Sequence, residues 1–229
     1  SDTRVPRAGL IRLIESLTAG GTVGAAGPMT NNAGYGHRVF ATYADPEGLD
    51  RFARDFAGRR TEDIDVSMLV GFCLAVRRSV LAEIEGPPFD VRFGRGLFED
   101  NDLCYRILRA GYRLRMATRA YVHHEGSKTL RRTVANVQRL LHENQRKYEE
   151  KWRDDLETGF ASHLSGQSPH PVRLVSEREP AKVRRRVEEV ARKARISLCM
   201  IVRNEERVLG ACLESVRRVF WQTVVVDTG

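Results

Sequence analysis

Apolar residues recur at helical spacing over residues 10–17 (LIRLIESL), and the run ends at Ala19-Gly20-Gly21, a glycine stop that predicts a helix entering a turn. Residues 22–26 (TVGAA) follow as a short buried strand, and residues 27–36 (GPMTNNAGYG) as a Gly/Asn-rich loop. Loops at strand ends are where α/β proteins place ligand groups. Asp45-Pro46 opens a second helix to about Ala57, with Leu49, Phe52, Ala53 and Phe56 on one face. Residues 66–76 (VSMLVGFCLAV) form a long β-rich apolar run, and its central Gly71 predicts a buried strand that bends or approaches a ligand there. A short helix is predicted over 79–84, broken by Gly86-Pro87-Pro88. In residues 98–110 (FEDNDLCYRILRA), Leu103, Ile107 and Ala110 mark a helix that stops at Gly111. Two short strands follow, over 112–116 and 120–123. Alternating helices and strands indicate an α/β fold.

The pattern continues with an amphipathic stretch from Thr129 to about Trp152, in which Val134, Val137, Leu141, Tyr148 and Trp152 share one face. A long helix lying across the preceding elements is expected. Residues 162–180 combine Ser, Gly, Pro and charge, a linker composition, and 181–194 are charged and helix-prone without a strong apolar stripe. A domain boundary is placed here. The pattern then restarts: a strand over 196–202, a helix over 205–219, and a strand over 223–226 that ends in Asp227.

Composition narrows the class. With 229 residues, 41% hydrophobic and 30% charged, the chain suits one good core, or a core plus a fragment of another. No apolar run nears the roughly 18–20 residues of a membrane span. The chain begins at Ser1 without a signal pattern and stops at Thr228-Gly229 just after an apolar run, so both ends read as cuts in a longer protein. The net charge of +8 admits nucleic acid, an anionic membrane surface or a phosphorylated ligand. Much of the excess sits at Arg131-Arg132 and within 182–195, and no RNP-like, zinc-finger or helix-turn-helix signature accompanies it; no specific nucleic-acid partner is expected. Cys73, Cys104, Cys199 and Cys212 are scattered in apolar contexts. They read as small buried hydrophobes in a reducing cytoplasm.

Two constellations carry candidate chemistry. In the first, Glu99, Asp100 and Asp102 open a helix beside the Gly-rich run Phe93-Gly94-Arg95-Gly96. The helix dipole and free backbone donors already favour carboxylates in a first turn. At 100° per residue Asp100 and Asp102 point about 200° apart, so only one of them faces a given ligand, while Asp102 reaches Arg106 one turn on. The second is residues 121–129 (YVHHEGSKT) at a strand end. Adjacent strand residues point to opposite faces, so one histidine can face a site while its neighbour faces core or solvent. An imidazole there suits metal or phosphate.

Taken in order, GAAGPMTNN, LVGFCLAVRRSVL, FDVRFGRGLFEDNDLCYRILRAGYRL and YVHHEGSKT resemble glycosyltransferase family 2, the inverting group with the GT-A fold, over about residues 8–130. The resemblance implies an ED pair on the acceptor side whose aspartate is the general base, matched by Asp100 with Glu99 before it. It implies a metal- or diphosphate-binding histidine in an H-x-G-S pattern, matched by His124, and acceptor-binding positions at Asn31, Asn32 and Gly71. Residues 196–206 (ISLCMIVRNEE) resemble the first strand and turn of the same family, and 224–229 its second strand. That implies donor or nucleotide binding by Asn204, Glu205 and Asp227.

The expected architecture is therefore α/β: an incomplete, Rossmann-like GT-A mixed sheet flanked by helices, a long C-terminal helix and a β-α-β tail. Residues 1–160 read as the acceptor-side half of one domain, 161–195 as a charged linker, and 196–229 as the start of a second. A permuted chain whose tail completes the first sheet is the competing arrangement. The implied activity is metal-dependent transfer of a sugar from a nucleotide-sugar donor to a hydroxyl of a carbohydrate or glycan acceptor, with Mn or Mg as divalent cation. No D-x-D motif precedes the first helix, so the fragment itself is expected to be inactive. The alternative is a non-catalytic or degenerate module that binds carbohydrate or protein partners. A homodimer by swapping of the C-terminal segment is a further expectation, because strands buried on both faces in α/β proteins need a sheet edge to pair with.

Overall fold

The computed structural model describes residues 3–94, 96–126 and 137–157, together with the backbone of 196–202 and 222–227. The first long helix, α1 (Arg7–Thr18), follows a two-residue strand, β1 (Thr3–Arg4), and buries Leu10, Leu13, Ile14 and Leu17 at the predicted spacing. Its C-terminal carbonyls are held by a guanidinium: Arg77 donates to Leu17 O at 2.8 Å and Gly20 O at 2.9 Å, and its Nε to Val23 O at 2.6 Å. Strand β2 (Val23–Met29) is buried at all seven positions, the signature of a strand covered on both faces. Helix α2 (Pro46–Ala57) starts where sequence chemistry places it, with Asp45 Oδ1 accepting from Gly48 N at 2.6 Å and Pro46 in the first turn.

The remaining elements are β3 (Ile64–Val66), β4 (Leu74–Arg77), α3 (Arg78–Glu83), α4 (Glu99–Arg109), β5 (Arg113–Tyr121), β6 (His123–His124), α5 (Val137–Lys151), α6 (Arg153–Glu157), β7 (Ile196–Val202) and β8 (Gln222–Asp227). Six strands form one mixed sheet in the order β3-β5-β2-β4-β7-β8. The β2–β5 and β7–β8 pairs are parallel, the other three antiparallel. Two cores result, one built on Leu10, Leu13, Ile14 and Leu17 of α1 with Val23 and Ala26, the other on Phe56, Leu103, Ile107 and Tyr121 with Ala25 and Met29. The architecture is thus mixed α/β, a mixed sheet flanked by helices. No helix among the described residues is long and apolar enough to cross a membrane.

Two local expectations are corrected. Residues 66–76 are not one strand: Val66 ends β3 at one edge of the sheet, and Leu74 begins β4 on the other side of β2. The intervening backbone donors turn to side chains of α4 instead of a ladder, Leu69 N to Cys104 Sγ at 3.4 Å and Gly71 N to Asp100 Oδ2 at 2.9 Å. Conversely, the two short strands expected over 112–123 are one, β5, followed by β6. Its register against β2 jumps from Pro28↔Ala117 to Met29↔Tyr121. At the jump Thr118 is held from outside, its N by Asp63 Oδ1 and its Oγ1 by Glu62 O, both at 3.0 Å.

Other expectations fall on residues the structure does not describe: the start of the long helix before Val137, the 161–195 linker and the 205–219 helix. The C-terminal strands are described, and they pair within the chain. β7 lies antiparallel to β4, with Leu74↔Cys199 and Arg77↔Ile196 in register, and β8 lies parallel to β7. Removal of residues 195–229 is expected to bare the β4 edge and lower the melting temperature by on the order of 5 °C. Calorimetry of the truncated chain checks this; an unchanged melting temperature in a monomer would show that the strands add nothing to that edge.

Candidate functional site

The site begins with a strained turn. Gly94 and Gly96 adopt φ of 62° and 105°, which glycine tolerates, but Leu97 and Phe98 follow at 70° and 75°. Left-handed backbone at a residue with a β-carbon costs about 1–2 kcal/mol, and such strain concentrates at functional positions. The turn delivers Glu99 and Asp100 as the first two residues of α4. Asp100 accepts two backbone hydrogen bonds at 2.9 Å, from Gly71 N to Oδ2 and from Asn101 N to Oδ1. Glu99 has less support: its own backbone N–H favours its ionised form, but its Oε2 is buried without a hydrogen-bond partner.

That asymmetry allocates the charge. Burial raises both carboxyls, and the neighbouring Asp100 charge raises Glu99 further, to about 8. The N–H donors on Asp100 oppose part of that rise and favour its ionised form, so of the two carboxyls Asp100 gives up its proton first and Glu99 holds its proton to higher pH. The sign for stability follows. A carboxyl whose folded pKa exceeds its unfolded value binds extra protons when folded, so its contribution is full below the ordinary carboxylate range and is lost as pH rises through about 8. Glu99→Gln, neutral at every pH, is expected to flatten that decline, gaining a few kcal/mol on the wild type between about pH 5 and pH 9. Denaturant unfolding at several pH values measures it; parallel curves for the two proteins would refute the assignment.

Asp102 turns away and is fully buried. Arg106 Nε and Trp152 Nε1 both donate to it at 2.9 Å, and Lys151 Nζ lies 2.7 Å from Oδ1. The helical divergence read from the sequence thus separates an aspartate held by backbone amides beside Gly71 from one that anchors α4 to α5.

Gly71 links the carboxyl pair to the second constellation, because the next residue, Phe72, stacks on the His124 ring at 4.9 Å with the planes 13° apart. His124 Nδ1 lies 2.6 Å from Asn32 O, and since a carbonyl only accepts, Nδ1 carries the proton there. Asn31 holds the same residue by its backbone, its Nδ2 donating to His124 O at 3.0 Å and its Oδ1 accepting from His124 N at 2.9 Å. A β-carbon on Gly126 would collide with the Asn32 amide, which explains glycine at that step of the H-x-G-S pattern. His123 goes elsewhere: its Nδ1 meets Tyr43 Oη at 2.6 Å, and Tyr43 Oη meets Tyr121 Oη at 2.6 Å. Two adjacent histidines therefore serve opposite surroundings, as strand alternation predicts.

Of the residues singled out in the sequence, the fold brings together Asp100, Glu99, Gly71, Asn31, Asn32 and His124. Asn31, Asn32 and Gly71 each use a polar group to position Asp100 or His124. Asp227 ends β8 opposite Val202 of β7, and its side chain is not described. Asn204 and Glu205 lie outside the described residues. Sequence reasoning missed Phe72, Tyr43 and Asn144. Asn144 left one signal: it falls on the apolar stripe between Leu141 and Tyr148, a polar residue where the pattern asks for an apolar one.

Among the described residues no three His, Cys, Asp or Glu side chains are grouped to hold a metal ion. His124 supplies one imidazole of suitable chemistry and no more, so no step below is routed through a metal. Comparison of the chain with protein-family models, with curated proteins and with solved structures finds no match.

Proposed function

We propose that this chain belongs to an inverting nucleotide-sugar glycosyltransferase and supplies its acceptor side, with Asp100 as general base. One observation carries the reading: a carboxylate held in place by two backbone donors beside a second carboxyl whose buried oxygen lacks a partner. A base must be fixed and moderately basic: two backbone hydrogen bonds fix Asp100, burial raises its pKa, and Gly71 N and Asn101 N favour its ionised form.

In the proposed reaction the acceptor hydroxyl oxygen attacks the anomeric carbon of the donor sugar. The bond from that carbon to the diphosphate breaks, and the hydroxyl proton passes to Asp100, so the sugar changes configuration once. Glu99, protonated, is the hydrogen-bond donor adjacent to the base. His124 is fixed by Asn32 and Phe72. With Nδ1 already donating to Asn32 O, it would serve an anionic oxygen of donor or product only as the doubly protonated imidazolium, while the neutral ring's Nε2 lone pair suits a cation. Donor contacts from Asn204, Glu205 and Asp227, and a divalent cation, Mn or Mg, with ligands beyond His124, belong to the same proposal, as do a carbohydrate or glycan acceptor and a cytoplasmic setting. The test is release of nucleoside diphosphate from a panel of nucleotide sugars by the whole protein in the presence of hydroxyl acceptors and Mn²⁺ or Mg²⁺. Turnover dependent on acceptor supports the reading, and its absence across the panel removes it.

A further inference from the structure

Helix α5 buries one residue completely, and that residue is polar. Asn144 Nδ2 lies 2.7 Å from the carbonyl oxygen of Phe93, 2.8 Å from that of Gly96 and 3.0 Å from that of Leu97. Its Oδ1 accepts from Lys147 Nζ at 3.0 Å, and the same ammonium reaches Arg92 O at 2.9 Å. Carbonyls only accept and an ammonium only donates, so these neighbours fix which end of the amide is which. Three carbonyls converging on one point repel one another unless a donor sits between them. The backbone reaches this arrangement by running left-handed at Gly94, Gly96, Leu97 and Phe98.

The side chain matches that demand in kind. An amide nitrogen offers two hydrogens without a net charge, so it satisfies converging carbonyls at far less desolvation cost than a buried ammonium. The same face of α5 grips the turn's downstream side as well: Tyr148 packs on Phe98 at 5.5 Å between ring centres, and Lys151 and Trp152 hold Asp102. Contacts at Phe98 and Asp102 thus flank the stretch that holds Glu99 and Asp100.

We infer that Asn144 is a positioning residue for the Glu99–Asp100 pair, its amide bound to the carbonyls of Phe93, Gly96 and Leu97 and so holding Gly96, Leu97 and Phe98 in the left-handed course that sets both carboxyls at the start of α4. Its catalytic meaning rests on the reading of Asp100 as base; its structural content does not.

The experiment uses the whole chain with side-chain carboxyl ¹³C NMR, comparing wild type, Asn144→Ala and Asn144→Asp. Aspartate keeps the shape of asparagine but turns an oxygen toward three carbonyls, so it is expected to do more harm than alanine. A space-filling role gives the opposite order. In the folded variants the Glu99 midpoint, about 8 in the wild type, is expected to fall by about one pH unit as the turn relaxes and water reaches Oε2. In the transfer assay of the whole protein kcat is expected to fall about tenfold with donor KM unchanged. Leu97→Gly added to Asn144→Ala is expected to restore part of both losses, because glycine takes the left-handed conformation unaided; this pair carries the test should the aspartate variant fail to fold. An unchanged Glu99 midpoint in folded Asn144→Ala, or no rescue by Leu97→Gly, would overturn the inference. The Glu99 response in this chain, together with no glycosyl transfer by the whole protein, would remove the functional reading and leave the positioning role standing.

Discussion

Asp102→Ala is expected to destabilise the protein by about 3–5 kcal/mol, the cost of removing one member of a buried charge cluster. Asp102 has no solvent exposure and Arg106 keeps only 6% of its surface. Arg106 retains two carbonyl partners, Glu85 O at 2.9 Å and Pro88 O at 2.8 Å, but its charge loses its carboxylate. Lys151 loses a contact at 2.7 Å and keeps Asp90 at 2.8 Å, while the Trp152 indole N–H is left buried with no acceptor. Because Lys151 ends α5 and Trp152 directly follows it, the loss also loosens that helix against α4. Asp102→Asn retains an oxygen for one donor and is expected to cost less. Urea unfolding of both variants measures the effect; a loss below about 1 kcal/mol for alanine would show that the cluster is merely neutral to replace.

How much of this was legible in the sequence depends on the range of the forces involved. Helices α1, α2 and α4 were readable because their apolar stripes and stop signals are local, and the divergence of Asp100 from Asp102 needs only helical geometry. The break in the 66–76 run was not readable. Its residues favour a strand throughout, and what removes 67–73 from the sheet is Asp100 and Cys104 accepting the backbone donors of Gly71 and Leu69 from across 29 and 35 residues. The stack of Phe72 on His124 and the clamp of Asn144 on the 93–97 turn are equally long-range. The pair Glu99 and Asp100 was found from its motif, but which of them holds the proton follows only from which oxygens have donors.

Asp100→Asn is expected to reduce glycosyl transfer by about 10²-fold or more while leaving donor affinity unchanged. The substitution preserves size, so the change is chemical: an amide does not accept the hydroxyl proton, and the attacking oxygen must lose it to water. The variant also has a cost at its anchor points. Both Asp100 oxygens accept backbone N–H groups, and an asparagine turns its own NH₂ toward one of them, either Gly71 N or Asn101 N. A drop in transfer alone would not separate lost chemistry from a displaced loop. The Glu99 midpoint does separate them, because the Asp100 charge is the second cause of its rise after burial. In a correctly folded Asp100→Asn protein that charge is gone while burial persists, so Glu99 is expected to titrate below about 8 yet above the ordinary carboxylate range. A loop that has swung open would instead return Glu99 to the ordinary range, because burial is lost as well. Donor titration by calorimetry, carboxyl NMR and turnover on the same sample complete the test. Transfer within a few-fold of wild type, with Glu99 responding as described, would end the assignment of Asp100 as the base.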